Sequence, residues 1–211
     1  EIEYKPLKIE EPLPTKAVGI ECLKESNPET MSAHRYLHKW FARRPTAATR
    51  LAILSSILPQ SVSNDELLNL MQIGPKNQDH LDVDLTDYIV EKWATKDDRS
   101  GSIGDHFGYK LPLRQTPNEE KLSELHDVIR EHWGGELPLV LDPTSGGGTI
   151  PMEAARYGLP TFANELNPVA WLINKVILDY AKGVGSLEED VREWANEIDE
   201  YASEELSSYF P

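Results

Sequence analysis

The feature that most constrains this chain is a glycine turn set between an apolar run and an amphipathic segment. Residues 137–142, LPLVLD, end in an acid and are followed directly by PTSGGGT and then IPMEAARYG. A short apolar run bounded by turn residues reads as a buried parallel strand. The segment after the turn reads as a short helix closed by Gly158. Backbone N–H groups and the positive end of that helix then converge on whatever occupies the turn. Glycines suit such a place because a Cβ would block close approach of a ligand to the backbone.

The next segments extend the pattern. LPTFANE is a second strand candidate, and NPVAWLINKVILDYAKG a helix with Asn167 as its cap, Pro168 in its first turn and Gly183 at its end. Strand, turn, helix, strand, helix is the opening order of a doubly wound α/β sheet. The expected fold is therefore α/β, with a partial Rossmann-like sheet over residues 137–211. Glu165 falls 23 residues after Asp142, at the end of the second strand, where a carboxylate can accept both hydroxyls of a ribose. A nucleoside-containing ligand is expected. Pro151 stands where a dinucleotide site needs its third glycine, and no Lys-Ser or Lys-Thr pair marks a phosphate loop. S-adenosylmethionine has no phosphate, its carboxylate suits the loop amides, and Asp142 offers an acidic wall to its cationic amine and sulfonium.

At this point the residues resemble a known family. DPTSGGGTIPMEAARYGLPTFANELNPVAWLINK resembles the cofactor motif of the adenine-specific DNA methylases that carry a zinc ribbon and an N-terminal domain of unknown function. IEEPLPTKAVGIECLKE and LHKWFARRPTAATRLAILSSILP resemble that family's N-terminal signature, and residues 59–136 match it poorly. The resemblance implies an S-adenosylmethionine-dependent methyltransferase acting on adenine in DNA. It implies cofactor contacts at Asp142, Pro143, Thr144, Ser145, Gly146, Gly147, Gly148, Thr149, Glu165, Leu166 and Asn167. It also implies a contribution from the basic aromatic segment, with Trp40 and Arg43 toward the cofactor and Lys39 and Arg44 toward a nucleic-acid strand. Cations beside an aromatic ring suit phosphates and stacked bases.

Two features of the family are missing. There is no Asp/Asn-Pro-Pro-Tyr loop to hold a flipped adenine, and no cysteine-rich zinc segment, since Cys22 stands alone. No catalytic residue and no metal ligand is assigned. The chain is expected to be the cofactor-binding part of a longer or split enzyme, its partners being DNA and a second chain or segment with the Pro-Pro-aromatic loop. Its start at Glu1 is read as trimming or partial representation. The alternatives are an RNA guanine-N2 methyltransferase and a non-catalytic methyltransferase-like subunit of a larger complex.

Charge and composition refine the organisation. The formal net charge is −15, which argues against a protein that coats nucleic acid generally. Residues 1–58 nevertheless hold nine basic against seven acidic side chains, and residues 34–50 contain Arg35, Lys39, Arg43, Arg44 and Arg50 with no acid. The acidic excess is read as a solvated surface, or in the minority reading as a face for a basic protein partner. No apolar run approaches the roughly 20 residues of a membrane span, and a cytoplasmic location is expected.

Three segments are expected. In 1–58, residues 1–30 read as an extended, proline-punctuated arm with at most short helical pieces, and residues 46–58 as a helix stopped by Pro59. Residues 59–136 read as a helical and irregular insertion, with short helices at NDELLNLMQIG and LTDYIVEKWA, and one from a Thr116 cap to Gly134. His126 and His132 on that helix are read as surface or core histidines. The third segment, 137–211, ends in a helix begun by a Ser186–Glu189 capping box, with Leu187, Val191, Trp194, Ile198 and Tyr201 on one face and most of nine acids on the other.

Overall fold

The structure is a computed structural model that describes residues 4–25, 44–74, 84–94, 115–180 and 187–207; the side chains of 92–94 and 187 lie outside the description. Eight α-helices are described: α1 (Thr15–Glu25), α2 (Thr46–Ile57), α3 (Asn64–Leu70), α4 (Leu85–Ala94), α5 (Glu119–Trp133), α6 (Thr149–Arg156), α7 (Pro168–Leu178) and α8 (Leu187–Leu206). Strands β1 (Val140–Asp142) and β2 (Thr161–Ala163) pair in parallel, with Val140 opposite Thr161 and Asp142 opposite Ala163.

The expectation of a Rossmann-like sheet is corrected by this arrangement. The described residues are mainly helical, and their one sheet has two strands of three residues each. Other contiguous apolar runs, LAIL at 51–54 and VAWLI at 169–173, lie within α2 and α7 rather than in strands. Periodicity alone does not separate such a run from a strand, and length decides, since each continues over 11 or 12 helical residues. Nor is β1 buried on both faces. Leu141 on β1 and Phe162 on β2 are 60% and 57% exposed.

The arm is corrected as well. Residues 15–25 form α1, starting just after Pro14, where proline no longer obstructs helical hydrogen bonding. Its Ala17, Val18 and Ile20 are buried, as are Glu21 and Lys24, which pair with each other. Tertiary packing supplies what local propensity does not. Ahead of α1, Leu7 and Pro59 form an antiparallel bridge, Lys8 N–H donating to the Leu58 carbonyl at 2.9 Å. This clasps the chain start onto the end of α2.

Helix α2 occupies the centre, packing on α1, α3 and α6. One continuous buried cluster joins Ala17 and Val18 of α1, Leu54 and Ile57 of α2, Leu67 and Leu68 of α3, Ile89 of α4, Leu125 and Ile129 of α5, and Ala154 of α6. Each fully buried aliphatic side chain contributes about 1.5–3 kcal/mol relative to exposure. The core thus draws on all three sequence segments.

Caps explain where the helices begin and end. Ser63 and Glu66 form a reciprocal capping box at α3. Asn118, rather than Thr116, caps α5, its Oδ1 accepting from Lys121 N–H at 2.9 Å, and Gly134 closes the helix in the left-handed region at φ 78°. Pro45 is the N-cap of α2 and not part of its first turn. Ser186 and Gly183 lie outside the described residues.

Candidate functional site

The site lies where β1 and β2 end, next to the N-terminus of α6. Parallel pairing in register brings Asp142 beside Ala163, so the residues that follow each strand emerge on the same side. The glycine turn then closes on itself. Thr144 N–H donates to Asp142 Oδ1 at 3.2 Å, Ser145 N–H to the Asn164 carbonyl at 3.0 Å, and Gly148 N–H to the Ser145 carbonyl at 2.8 Å. Gly146 and Gly148 have φ of 51° and 78°, a region that glycine enters without the Cβ penalty. Gly148 has a second requirement: a Cβ built there would stand 2.5 Å from Asn174 Oδ1. Asn174 is buried on α7, and its Nδ2 donates to the Gly146 carbonyl at 2.8 Å, tying that helix to the loop.

Glu165, two residues past the end of β2, lies against the loop, and its own carboxylate takes a loop amide that was expected to be open to a ligand. Its Oε2 accepts from Gly146 N–H at 2.6 Å, and its Oε1 from Leu166 N–H at 2.9 Å and Asn167 N–H at 3.0 Å. Amides of Asn167, Gly146 and Leu166 hold the carboxyl below the usual glutamate range. Glu165 therefore remains an anion at neutral pH, with lone pairs to spare for hydroxyl donors. Asp142, buried at 6% exposure, is displaced the other way, raised mainly by burial and further by Glu165. Two carboxylates with opposed shifts beside one glycine turn make an acidic pole.

A cavity of about 670 Å³ opens next to these groups, lined among others by Ser145, Phe162, Glu165, Trp171, Asn174 and Lys175. That volume falls in the range of small-molecule sites. Exposed Phe162 and Trp171 give it aromatic walls, and Glu165 a polar corner. Phe162, Trp171 and Asn174 lie inside the stretch that resembles the cofactor motif, yet sequence reasoning did not mark them as site residues. An aromatic at the middle of β2, and an Asn in a largely apolar helix, are the signals they leave.

The other expected residues divide into two groups. Pro143, whose carbonyl accepts from Asn164 Nδ2 at 3.1 Å, Gly147 and Thr149 belong to the turn and the start of α6, with Gly147 and Thr149 buried. Asn167 caps α7 through Val169 N–H at 2.9 Å, while the Leu166 side chain is 96% exposed. Lys39, Trp40 and Arg43 lie outside the described residues. Arg44 is exposed and borders a second cavity, of about 570 Å³, with Thr49, Ile53, Trp133, Leu139 and Val140, which shares no lining residue with the first. Across the basic segment, Glu25 accepts from Thr46 N–H at 2.6 Å and from its Oγ1 at 3.0 Å, joining α1 to the start of α2.

Arg50 leaves the basic island altogether. It is fully buried, with Nε 2.7 Å from Glu153 Oε2, Nη1 2.9 Å from the Met71 carbonyl and Nη2 2.6 Å from the Gln115 carbonyl. Glu153, also fully buried, takes a second ion pair from Arg156 at 3.1 Å, and the Arg50 guanidinium lies 5.6 Å from the Tyr157 ring centroid. This network fastens α6, and with it the glycine turn, to α2. His126 Nε2 is 2.7 Å from the Tyr157 carbonyl, a structural contact. Among the described residues no group of three His, Cys, Asp or Glu could hold a metal ion, and no helix is long and apolar enough to cross a membrane.

Residues 12–82 match a family described as a protein of unknown function, DUF1156. The matched stretch contains α1, α2 and α3 and stops before the glycine turn. No curated protein and no solved structure matches the chain.

Proposed function

We propose that the acidic pole at the ends of β1 and β2 binds S-adenosylmethionine, and that the chain is the cofactor-binding portion of a cytoplasmic adenine-N6 DNA methyltransferase. One observation carries the reading: Glu165 is kept ionised at the end of β2 by three amides, beside a glycine turn and an aromatic-walled cavity of about 670 Å³. An ionised carboxylate in that position suits the two hydroxyls of a ribose, and Phe162 and Trp171 suit the face of an adenine. The residues fit the group on this acidic and aromatic side. On the amide side the fit is narrower, because the N–H groups of Thr144, Ser145, Gly146 and Gly148 are all engaged within the protein.

Asp142 would face the positive end of the cofactor, and its burial would be relieved by a neighbouring cation. When bound, S-adenosylmethionine supplies an electrophilic methyl group on a sulfonium. The chain's own residues bind and orient the cofactor, and no catalytic base is assigned to them. The DNA assignment rests on the sequence resemblance and on the basic residues Lys39 and Arg44.

Titration calorimetry of the full chain with S-adenosylmethionine is the test. Saturable binding that Glu165→Gln weakens by about tenfold or more, as expected for a lost hydrogen bond to a charged group, would support the reading. Absence of heat, or affinity indifferent to Glu165→Gln and Asp142→Asn alike, would overturn it. Transfer of labelled methyl to duplex DNA rather than RNA, measured with a chain carrying the Pro-Pro-aromatic loop added, tests the substrate.

A further inference from the structure

Helix α8 is the least explained element of the described chain. It is 20 residues long, and no other described element packs on it extensively. Its apolar residues Val191, Trp194, Ile198 and Tyr201 are 59%, 70%, 65% and 69% exposed. They recur at intervals of three, four and three, which is the a/d seam of a coiled coil and narrower than the stripe of a helix lying on a globular core. With Val191 and Ile198 at a, the g positions are Asp190, Glu197 and Glu204, and the e positions are Ala195 and Ala202. One flank of the seam is thus acidic throughout. The other is built of alanine, small enough to let a second backbone approach.

Charge decides which helix would sit there. Nine acids and a single basic residue, Arg192, fall within the helix, and Arg192 is engaged by Glu188 at 2.8 Å. A second copy in parallel would set g acids against e alanines and gain nothing electrostatic. In antiparallel pairing the acidic flanks would face each other and repel. Lysine or arginine at the flanks of a partner helix would meet Glu197 and Glu204 favourably while its apolar seam covered Trp194 and Ile198.

We infer that α8 is a docking helix for a basic amphipathic helix of a partner protein, seated on the Val191–Trp194–Ile198–Tyr201 seam and selected by the acidic g flank. This surface is separate from the glycine turn and does not depend on cofactor binding. Its acidic charge excludes a nucleic-acid strand as the occupant.

The probe is a synthetic three-heptad helix with leucine at a and d and lysine at e and g, fluorescently labelled and titrated with the full chain. A counterpart carrying glutamate in place of lysine is the control. Saturable binding of the lysine peptide is expected, weakened about tenfold near 0.5 M salt, where screening shortens to a few ångströms. The double variant Trp194→Ala/Ile198→Ala is expected to weaken it at least as much. Circular dichroism checks that the variant keeps its helicity. No binding of the lysine peptide, equal binding of both peptides, or binding untouched by the double variant would each overturn the inference. So would a dimer in sedimentation velocity that Trp194→Asp returns to monomer, since the occupant would then be a second copy.

Discussion

Replacing Arg50 with methionine tests the arrangement that holds the glycine turn against the rest of the molecule. Methionine fills most of the same volume, so little cavity is created and the effect reports on charge. Three donors are removed at once, from Glu153 Oε2 at 2.7 Å and from the carbonyls of Met71 and Gln115 at 2.9 and 2.6 Å. Breaking a buried ion pair by removing one partner costs about 3–5 kcal/mol, because the remaining charge is buried without compensation. Here Arg156 still reaches Glu153 at 3.1 Å, and its side chain is 20% exposed, so part of that loss is offset. The expected cost is therefore about 3 kcal/mol, or roughly 6–12 °C in Tm for a chain of this length. Urea titration followed by circular dichroism measures it. Adding Glu153→Gln to Arg50→Met removes the stranded charge and should recover about 1–2 kcal/mol, a non-additivity typical of residues in contact. If Arg50→Met costs less than about 0.5 kcal/mol, a surface-like value, or if the two changes simply add, the buried network does not hold α6 as described.

Three further outcomes follow from the site. Gly148→Ala and Gly134→Ala both force alanine to φ 78°, costing about 1–2 kcal/mol each, but only at Gly148 does the new Cβ meet a side chain, Asn174 Oδ1 at 2.5 Å; denaturation should show Gly148→Ala the more damaging, and equal costs would refute the close approach. Glu165 has a depressed folded pKa, so its contribution is present above the unfolded value, about 4.3, and is lost as pH falls through the folded one. The stability gap between wild type and Glu165→Gln should accordingly narrow from pH 7 toward pH 3, and a constant gap would contradict the three amide bonds. Asp142 has a raised folded pKa, so its charged form opposes folding at neutral pH. Asp142→Asn should raise Tm at pH 7, the gain fading below the unfolded value of about 3.9, and a destabilised variant at pH 7 would show that the buried carboxylate is compensated after all.

The glycine turn, the strand before it, the Asn167 cap with Pro168 behind it and the acid at the end of β2 were all legible in residue order. The turn and the cap depend on contacts within a few positions: a positive φ that only glycine takes easily, a proline whose missing N–H costs nothing at a helix start, a side-chain oxygen capping the next turn. The breadth of the sheet was not legible in this way. Strand-like sequence states a preference for extension, whereas a sheet exists only where other strands come to pair, and here just one pair of three residues is formed. Helix α1 was hidden for the opposite reason. Its prolines stop at Pro14, and the residues after them become helical by burying Ala17, Val18 and Ile20 among α2 and its neighbours.

Arg50 shows the division most directly. In sequence it is one cation among five in a basic stretch, with nothing local to set it apart. Glu153 lies 103 positions away, and only the packing of α2 on α6 brings the two within 2.7 Å. The sequence by itself determined the turn after β1 and the cap of α7, because turn and cap chemistry acts over one to four residues, whereas the Ser145–Asn164 and Gly146–Glu165 bonds span 19 positions and exist only because β1 and β2 pair. The tertiary structure alone decided which charges are buried, which cavity adjoins Glu165 and which apolar face is left uncovered on α8, because burial is set by whatever distant elements arrive to exclude water.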